Sequence, residues 1–366
     1  MKKIGVGIIG SGVITLQNHL PGIALCPQAR VVALCDSDLA VLQRASQQSG
    51  VTALHSDYTE LIRRDDVDAV IIATPNVLHA PITLAAIAAG KHVLCEKPIA
   101  MNFAEALQMY RAAEAAGVRH MTAFTYRFVP AFRYLAHLVR SGAIGQPYHF
   151  RVQRFQDWGQ RSVGWRQIAK LAGSGELGDM LSHRLDYAHI LMGRFESLVA
   201  GLRRFLDLRQ GQVSDLEDWV AVIANFASNA TGVFESTKIA TGRGESARSQ
   251  DYSEINGSEA TLVYQLSDKA ELKIGRRGTT GLETVPVPKE FMKWPGSPRD
   301  PNQGDPLFTF RYDQAFEFID AIVNQRPCVP SFLDGVRAQA IMEAAILSSN
   351  EQRWVTMSAD YLALWA

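Results

Sequence analysis

Ile4-Gly5-Val6-Gly7-Ile8-Ile9-Gly10-Ser11-Gly12-Val13-Ile14-Thr15 stands at the start of the chain, and the fold turns on which of its glycines bend the backbone. The apolar run Ile4–Ile9 predicts a buried strand. Gly5-Val6-Gly7-Ile8-Ile9-Gly10 spells G-x-G-x-x-G but lies inside that strand. A pyrophosphate needs the turn after a strand, where backbone N–H groups and the positive end of the next helix face the anion. That turn is Gly10-Ser11-Gly12-Val13-Ile14, followed by Thr15 where a third glycine or alanine is expected. The larger residue predicts slightly looser helix–strand packing.

Working outward, Val31–Cys35 reads as the second strand and delivers Asp36 about two dozen residues after Gly12, near the ribose position of a dinucleotide site. A carboxylate there accepts from the adenosine ribose hydroxyls and repels a 2′-phosphate. Ser37-Asp38 adds no cation, so NAD is favoured over NADP. Asp36 also fits as the N-cap of a helix over Asp38–Ser49. Further strands are expected at Ala69–Ala73, His92–Cys95 and His120–Phe124, with Thr74-Pro75-Asn76 at the cofactor-facing edge of the sheet. His79 reads as a helix-start residue, and Asn102 with Glu105 as a capping box for a helix that Gly117 ends. Residues 1–125 are thus expected to form an NAD-binding Rossmann domain, a doubly wound parallel sheet.

From Tyr126 the pattern changes, and residues 126–366 predict an α+β domain. A helix near Val129–Arg140 precedes alternating stretches at Tyr148–Arg154, Ser197–Phe205, Trp219–Phe226, Gly232–Lys238, Tyr252–Asn256, Ala260–Gln265 and Ala270–Ile274. These fit one large, mostly antiparallel sheet, backed by helices at Asp179–Met192, Tyr312–Asn324 and Leu333–Ser349. Pro286–Pro306 reads as a long surface loop.

Bulk composition narrows the function classes. The 366 residues exceed a typical single core, and 37 basic residues balance 37 acidic ones. A nucleic-acid or anionic-membrane binder is not expected. Cys26, Cys35, Cys95 and Cys328 are scattered, which points to reduced thiols in a cytoplasmic protein. Met1-Lys2-Lys3 and the apolar run after it resemble a signal peptide, but the glycines and the missing cleavage site favour a strand and turn.

Two motifs carry chemistry. Glu96-Lys97-Pro98 follows the strand His92–Cys95 and brings an ammonium to the edge of the cofactor domain. Gly178-Asp179-Met180-Leu181-Ser182-His183-Arg184-Leu185-Asp186 puts Asp179, His183 and Asp186 at i, i+4 and i+7, on one face of a helix. An alcohol oxidation needs a base for the hydroxyl proton, and a histidine titrating near pH ~6.5 suits it. A carboxylate one turn away can fix its tautomer, and Lys97 can stabilise developing negative charge. Two other readings stay open at this point: a solvated helix face, and a divalent metal held by the three residues. No further His/Cys cluster supports the metal, so none is expected.

These motifs, with Ala73-Thr74-Pro75-Asn76 and Tyr126-Arg127-Phe128, make the chain resemble the Gfo/Idh/MocA family of NAD(P)-dependent sugar and polyol dehydrogenases over essentially its whole length. The resemblance implies a Rossmann domain plus an open-faced α/β domain whose sheet serves a homodimer or homotetramer. It implies Lys97, Asp179 and His183 as the catalytic set, His183 as general base, and Glu96 near the nicotinamide ribose. Gln156-Asp157-Trp158, Trp165-Arg166 and Ala172-Gly173-Ser174-Gly175 are similar to the levoglucosan dehydrogenase and inositol dehydrogenase-like branch. Glu176 and Met180-Leu181-Ser182 depart from the small residues common around the catalytic Asp. Tyr126, Arg127, Gln156, Trp158, Trp165 and Arg166 are candidate sugar contacts. The tryptophans would stack on a pyranose face, or else serve as core or interface residues. The implied reaction is oxidation of a secondary hydroxyl of a sugar, glycoside or cyclitol to a ketone. Other outcomes for this fold are an NAD-binding regulator without catalysis, or a lyase or glycosidase that reduces NAD transiently.

Overall fold

The structure, a computed structural model, describes residues 3–159, 161–245, 249–268 and 270–365. Met1 and Lys2 of the basic stretch considered above lie outside them. The chain divides into two compact units: Met1–Thr125 with Lys293–Gln303 and Thr309–Val336, and Tyr126–Met292 with Gly304–Phe308 and Arg337–Ala366.

The first unit holds six parallel strands: β1 Ile4–Ile9, β2 Ala29–Cys35, β3 Leu54–His55, β4 Ala69–Ile72, β5 His92–Cys95 and β6 His120–Thr122. Their order is β3-β2-β1-β4-β5-β6, which reverses direction between β1 and β4. In a doubly wound sheet the crevice for a ligand opens at that reversal, beyond the carboxyl ends of the strands. β4 is buried along its whole length, as its unbroken apolar run predicts. Helix Phe103–Ala116 begins where the Asn102 side chain accepts from the Glu105 N–H at 2.9 Å, and ends at Gly117 with φ +64°. The Glu105 carboxylate answers by accepting from the Met101 N–H and the Asn102 side-chain amide.

One expectation needs correcting. Helix Tyr312–Val323 does not back the second sheet: Ala315, Phe316, Phe318, Ile319 and Ile322 pack into the core of the first unit with Val6, Ile8, Leu20 and Ile23. Residues 286–306 do form a long, largely exposed loop with one short turn at Lys289–Phe291, but it is anchored. Arg299 and Asp313 form a buried ion pair, Ser297 donates to Asp313, and the Trp294 indole donates to Glu317 at 2.8 Å. These buried polar bonds fasten 293–303 to the same helix.

The second unit is built on nine strands: β7 Pro147–Phe155, β8 Phe195–Arg203, β11 Trp219–Phe226, β12 Thr231–Thr237, β13 Gln250–Gly257, β14 Ala260–Gln265, β15 Glu271–Arg276, β16 Glu283–Pro286 and β17 Val355–Thr356. A separate small hairpin comprises β9 Leu208–Arg209 and β10 Gln212–Val213. All pairings in the large sheet are antiparallel except β7 with β12. Its inner face carries Phe150, Phe195, Phe226 and Phe234 at alternating positions, all fully buried. Helices Pro130–Arg140 and Ser182–Met192 cover that face, and Phe132 stacks on Tyr187 at 3.5 Å between centroids.

Candidate active site

In the first unit the turn after β1 is shaped for close approach of a ligand backbone. Gly10 has φ +91°, and a Cβ there would lie 2.4 Å from the Ala73 carbonyl oxygen. A Cβ at Gly12 would meet nothing within 4 Å, so the turn presents open space where a pyrophosphate belongs. Val13 and Ile14 start the following helix, with Val13 67 % exposed. Thr15 does not loosen the packing as expected. It is fully buried, and its hydroxyl donates to the Gly10 carbonyl at 2.6 Å, tying the helix back to the turn. The helix then widens into a π turn over Thr15–His19, just ahead of Pro21, which has no N–H to continue the ladder.

Asp36 holds the same turn from β2: its Oδ2 accepts from the Ser11 N–H at 2.7 Å and its Oδ1 from the Asp38 N–H at 2.9 Å. It does not cap the next helix. Asp38 does, accepting from the Ala40 and Val41 N–H groups. Among the residues that could hold NAD, then, Gly10, Ser11, Gly12 and Asp36 form one bonded turn that fits a dinucleotide.

Two buried histidines, one of them unremarked in the sequence, set the neighbouring loops. His79 lies with one ring nitrogen 2.7 Å from the Pro98 carbonyl oxygen and the other 3.0 Å from that of Thr74. It thereby joins Thr74-Pro75-Asn76 to Glu96-Lys97-Pro98, whose Lys97–Pro98 peptide is cis. Burial pushes its pKa down. His19, at the end of the first helix's π turn, contacts Glu96 Oε1 at 3.0 Å. Burial alone would push the Glu96 carboxyl up, but His19, then Lys97 and His79, outweigh it and hold it below the usual range. A lone histidine one turn after a glycine motif was the only trace of this contact in the sequence.

In the second unit, Asp179 and His183 do not sit on a plain α-helix. Leu177–Leu181 is a π turn that runs into the α-helix Ser182–Met192, which alters the i, i+4, i+7 geometry. His183 is 3 % exposed and meets the Tyr126 ring edge-on at 4.7 Å. Asp179 faces Arg166, whose Nε lies 3.4 Å from Oδ1. Asp186 is 1 % exposed, so the solvated-face reading fails for both it and His183. Asp186 takes a bidentate grip from Arg127, which commits both side chains to an ion pair. Tyr126 is also locked. Its carbonyl accepts from the Tyr187 hydroxyl, and its ring lies under the Arg184 guanidinium at 4.4 Å.

The remaining sugar-contact candidates are divided. Gln156 is 1 % exposed at the end of β7. Trp158 and Trp165 are half-buried, each with one ring face covered by a guanidinium, Arg161 at 4.8 Å and Arg166 at 4.3 Å. Arg166 thus bridges a tryptophan face and Asp179. All four cysteines are free and buried. Among the described residues no group of three His, Cys, Asp or Glu could hold a metal ion, and no helix is long and apolar enough to cross a membrane.

Residues 4–124 match the Gfo/Idh/MocA oxidoreductase family, NAD-binding Rossmann fold, and residues 136–357 match its C-terminal α/β domain. The chain is 31% identical to levoglucosan dehydrogenase of Pseudarthrobacter phenanthrenivorans, over 97% of this chain and 98% of that protein. It is 29% identical to D-apiose dehydrogenase of Paraburkholderia graminis, over 98% of this chain and 91% of the relative. A solved structure of levoglucosan dehydrogenase in complex with NADH and levoglucosan superposes with a TM-score of 0.89 at 31% identity, covering 97% of this chain and all of that one.

Proposed function

The chain belongs to the Gfo/Idh/MocA oxidoreductase family and carries its NAD-binding Rossmann domain, and from that premise we propose that it oxidises a secondary hydroxyl of a sugar, anhydrosugar, glycoside or cyclitol to a ketone. The observation that carries the reading is His183, a buried histidine in the first turn of the helix that follows the turn holding Asp179, in a chain whose other unit is an NAD-binding Rossmann domain. NAD, when bound, supplies the hydride acceptor. The protein's own residues handle the proton. His183 removes it from the substrate hydroxyl as general base, while Asp179 stabilises the resulting imidazolium. Lys97 stabilises the negative charge that develops on the oxygen. Gly10, Ser11, Gly12, Val13 and Ile14 take the pyrophosphate, Asp36 the adenosine ribose, and Thr74, Pro75, Asn76 and Glu96 the nicotinamide half. NADP is disfavoured by the Asp36 carboxylate.

The first unit serves the cofactor and the second the substrate, with Tyr126, Gln156, Trp158, Trp165 and Arg166 shaping the sugar pocket. Arg127, held in place by Asp186, is a further candidate contact there. Ile223, 48 % exposed, lies with Val233 and Arg151 on the face of the nine-stranded sheet opposite the buried phenylalanines, and we assign that face to a homodimer or homotetramer in the cytoplasm. A screen of NAD+ reduction over inositols, monosaccharides, anhydrosugars and glycosides tests the activity. Tight NAD binding without NADH formation on any of them would favour a regulator. Cleaved product without net NADH would favour a lyase or glycosidase.

A further inference from the structure

Glu176 is fully buried and immediately precedes the turn that carries Asp179. Its Oε1 lies 2.5 Å from the Ser236 hydroxyl oxygen, and that hydroxyl lies 3.0 Å from the Arg154 carbonyl oxygen. A serine hydroxyl has one proton and a carbonyl oxygen can only accept. Both contacts are hydrogen bonds together only when Glu176 is the acid: Glu176 donates to Ser236, and Ser236 donates to Arg154.

The surrounding charge leads to the same assignment. Three carboxyls gather here: Glu176, Asp179 on the turn, and Glu217 ahead of β11, whose Oε1 accepts from the Gly175 and Leu177 N–H groups. The buried cations facing Glu176 are Lys238 after β12 and Arg154 on β7, 1 % and 0 % exposed. Burial pushes both Glu176 and Glu217 up, but Glu217 accepts two backbone N–H bonds that favour its charged form and Asp179 has Arg166, which makes Glu176 the carboxyl suited to carry a proton.

We infer that Glu176 is a proton-bearing carboxylic acid in the resting protein, and that its ionisation tunes, through the neighbouring Asp179 charge, the proton affinity of His183 on the helix that follows. Burial pushes the Glu176 carboxyl up to about 7, with Lys238 opposing and the Asp179 charge adding to the rise. On losing its proton, Glu176 sets a second negative charge beside Asp179, and His183 then holds a proton more tightly. Glu176 is thus a positioning residue acting through Asp179. Its relevance to turnover rests on the base role proposed for His183, but its proton does not.

The test is NMR of the full chain without substrate, labelled at glutamate Cδ and histidine Cε1. A carboxyl resonance absent from Glu176→Gln should keep the protonated position near pH ~6 and move as pH rises through about 7. The His183 midpoint, assigned through His183→Gln, should fall by roughly half a pH unit in Glu176→Gln, which mimics the neutral acid. A carboxylate resonance for Glu176 near pH ~6, or an unmoved His183 midpoint, overturns the inference. Should Glu176→Gln fail to fold, Ser236→Ala assigns the carboxyl by perturbing it, and a carboxylate position near pH ~6 still overturns the inference. Because no substrate enters, a failed sugar screen overturns the proposed activity and leaves this result standing.

Discussion

Arg127 grips Asp186 with both sides of its guanidinium, Nε donating to Oδ2 at 2.7 Å and Nη2 to Oδ1, and the two side chains are 9% and 1% exposed. Removing one partner strands a buried charge, which typically costs about 3–5 kcal/mol. Asp186→Ala should therefore lower the urea midpoint sharply. The paired apolar replacement Arg127→Met with Asp186→Leu should recover most of the loss. Equal destabilisation by the single and double variants would mean that packing, not charge, holds this site.

Lys97 and His183 should separate binding from chemistry. Lys97→Ala and His183→Ala are each expected to reduce kcat by about 10²–10⁴-fold while leaving NADH affinity, read by fluorescence titration, nearly unchanged. Near-normal turnover in either variant would remove that residue from the catalytic set.

Gly10→Ala addresses the cofactor turn. The new Cβ meets the Ala73 carbonyl oxygen at 2.4 Å and the backbone has φ +91°, so strain of about 1–3 kcal/mol is expected. NADH affinity should weaken by roughly tenfold or more, following that strain. Gly12→Ala, with open space around it in the protein, should fold normally and lose affinity only through obstruction of the ligand. If Gly10→Ala binds NADH as the parent does, the turn is not the pyrophosphate site.

Acid should destabilise the first unit earlier than carboxylate titration alone would. Burial lowers the pKa of His92 and His120, and each Nδ1 accepts a backbone N–H, from Arg119 and Phe332. Such groups stay neutral in the folded chain, so the unfolded chain binds more protons once pH falls below the ordinary histidine value of ~6.5. Their contribution is whole above that pH and declines below it. Denaturant midpoints should be level from about pH 8 to 7 and fall below ~6.5, less steeply in His120→Gln. A flat midpoint down to about pH 5 would sink this account.

The strands of the first unit were legible because buried parallel strands read as short apolar runs, and Ile4–Ile9 and His92–Cys95 have the expected ends. Leu54–His55 was too short to show any period. Asp179–Met192 read as one α-helix because periodicity does not register the extra residue of a π turn. Amphipathic spacing in Tyr312–Val323 announced a buried face but not the surface that buries it. The pairings Arg127–Asp186 and Glu176–Ser236 join residues 59 and 60 positions apart, beyond any local pattern. Glu176 stood out only as a departure from small neighbours, and its charged surroundings, Lys238 and Arg154, left no mark in the motif.

Helix Tyr312–Val323 returns to the first unit and lies so close to Leu20–Ala24 that a Cβ on Gly22 would stand 2.9 Å from that of Ala315. A ribosome therefore releases the strands of the cofactor sheet long before the helix that seals them. Until residues near 323 emerge, Val6, Ile8, Leu20 and Ile23 lack the side chains that cover them, and the nascent sheet keeps an apolar flank in water. A fragment cut at Thr125 would inherit that bare flank permanently, which makes the apparent N-terminal domain a poor choice for separate expression.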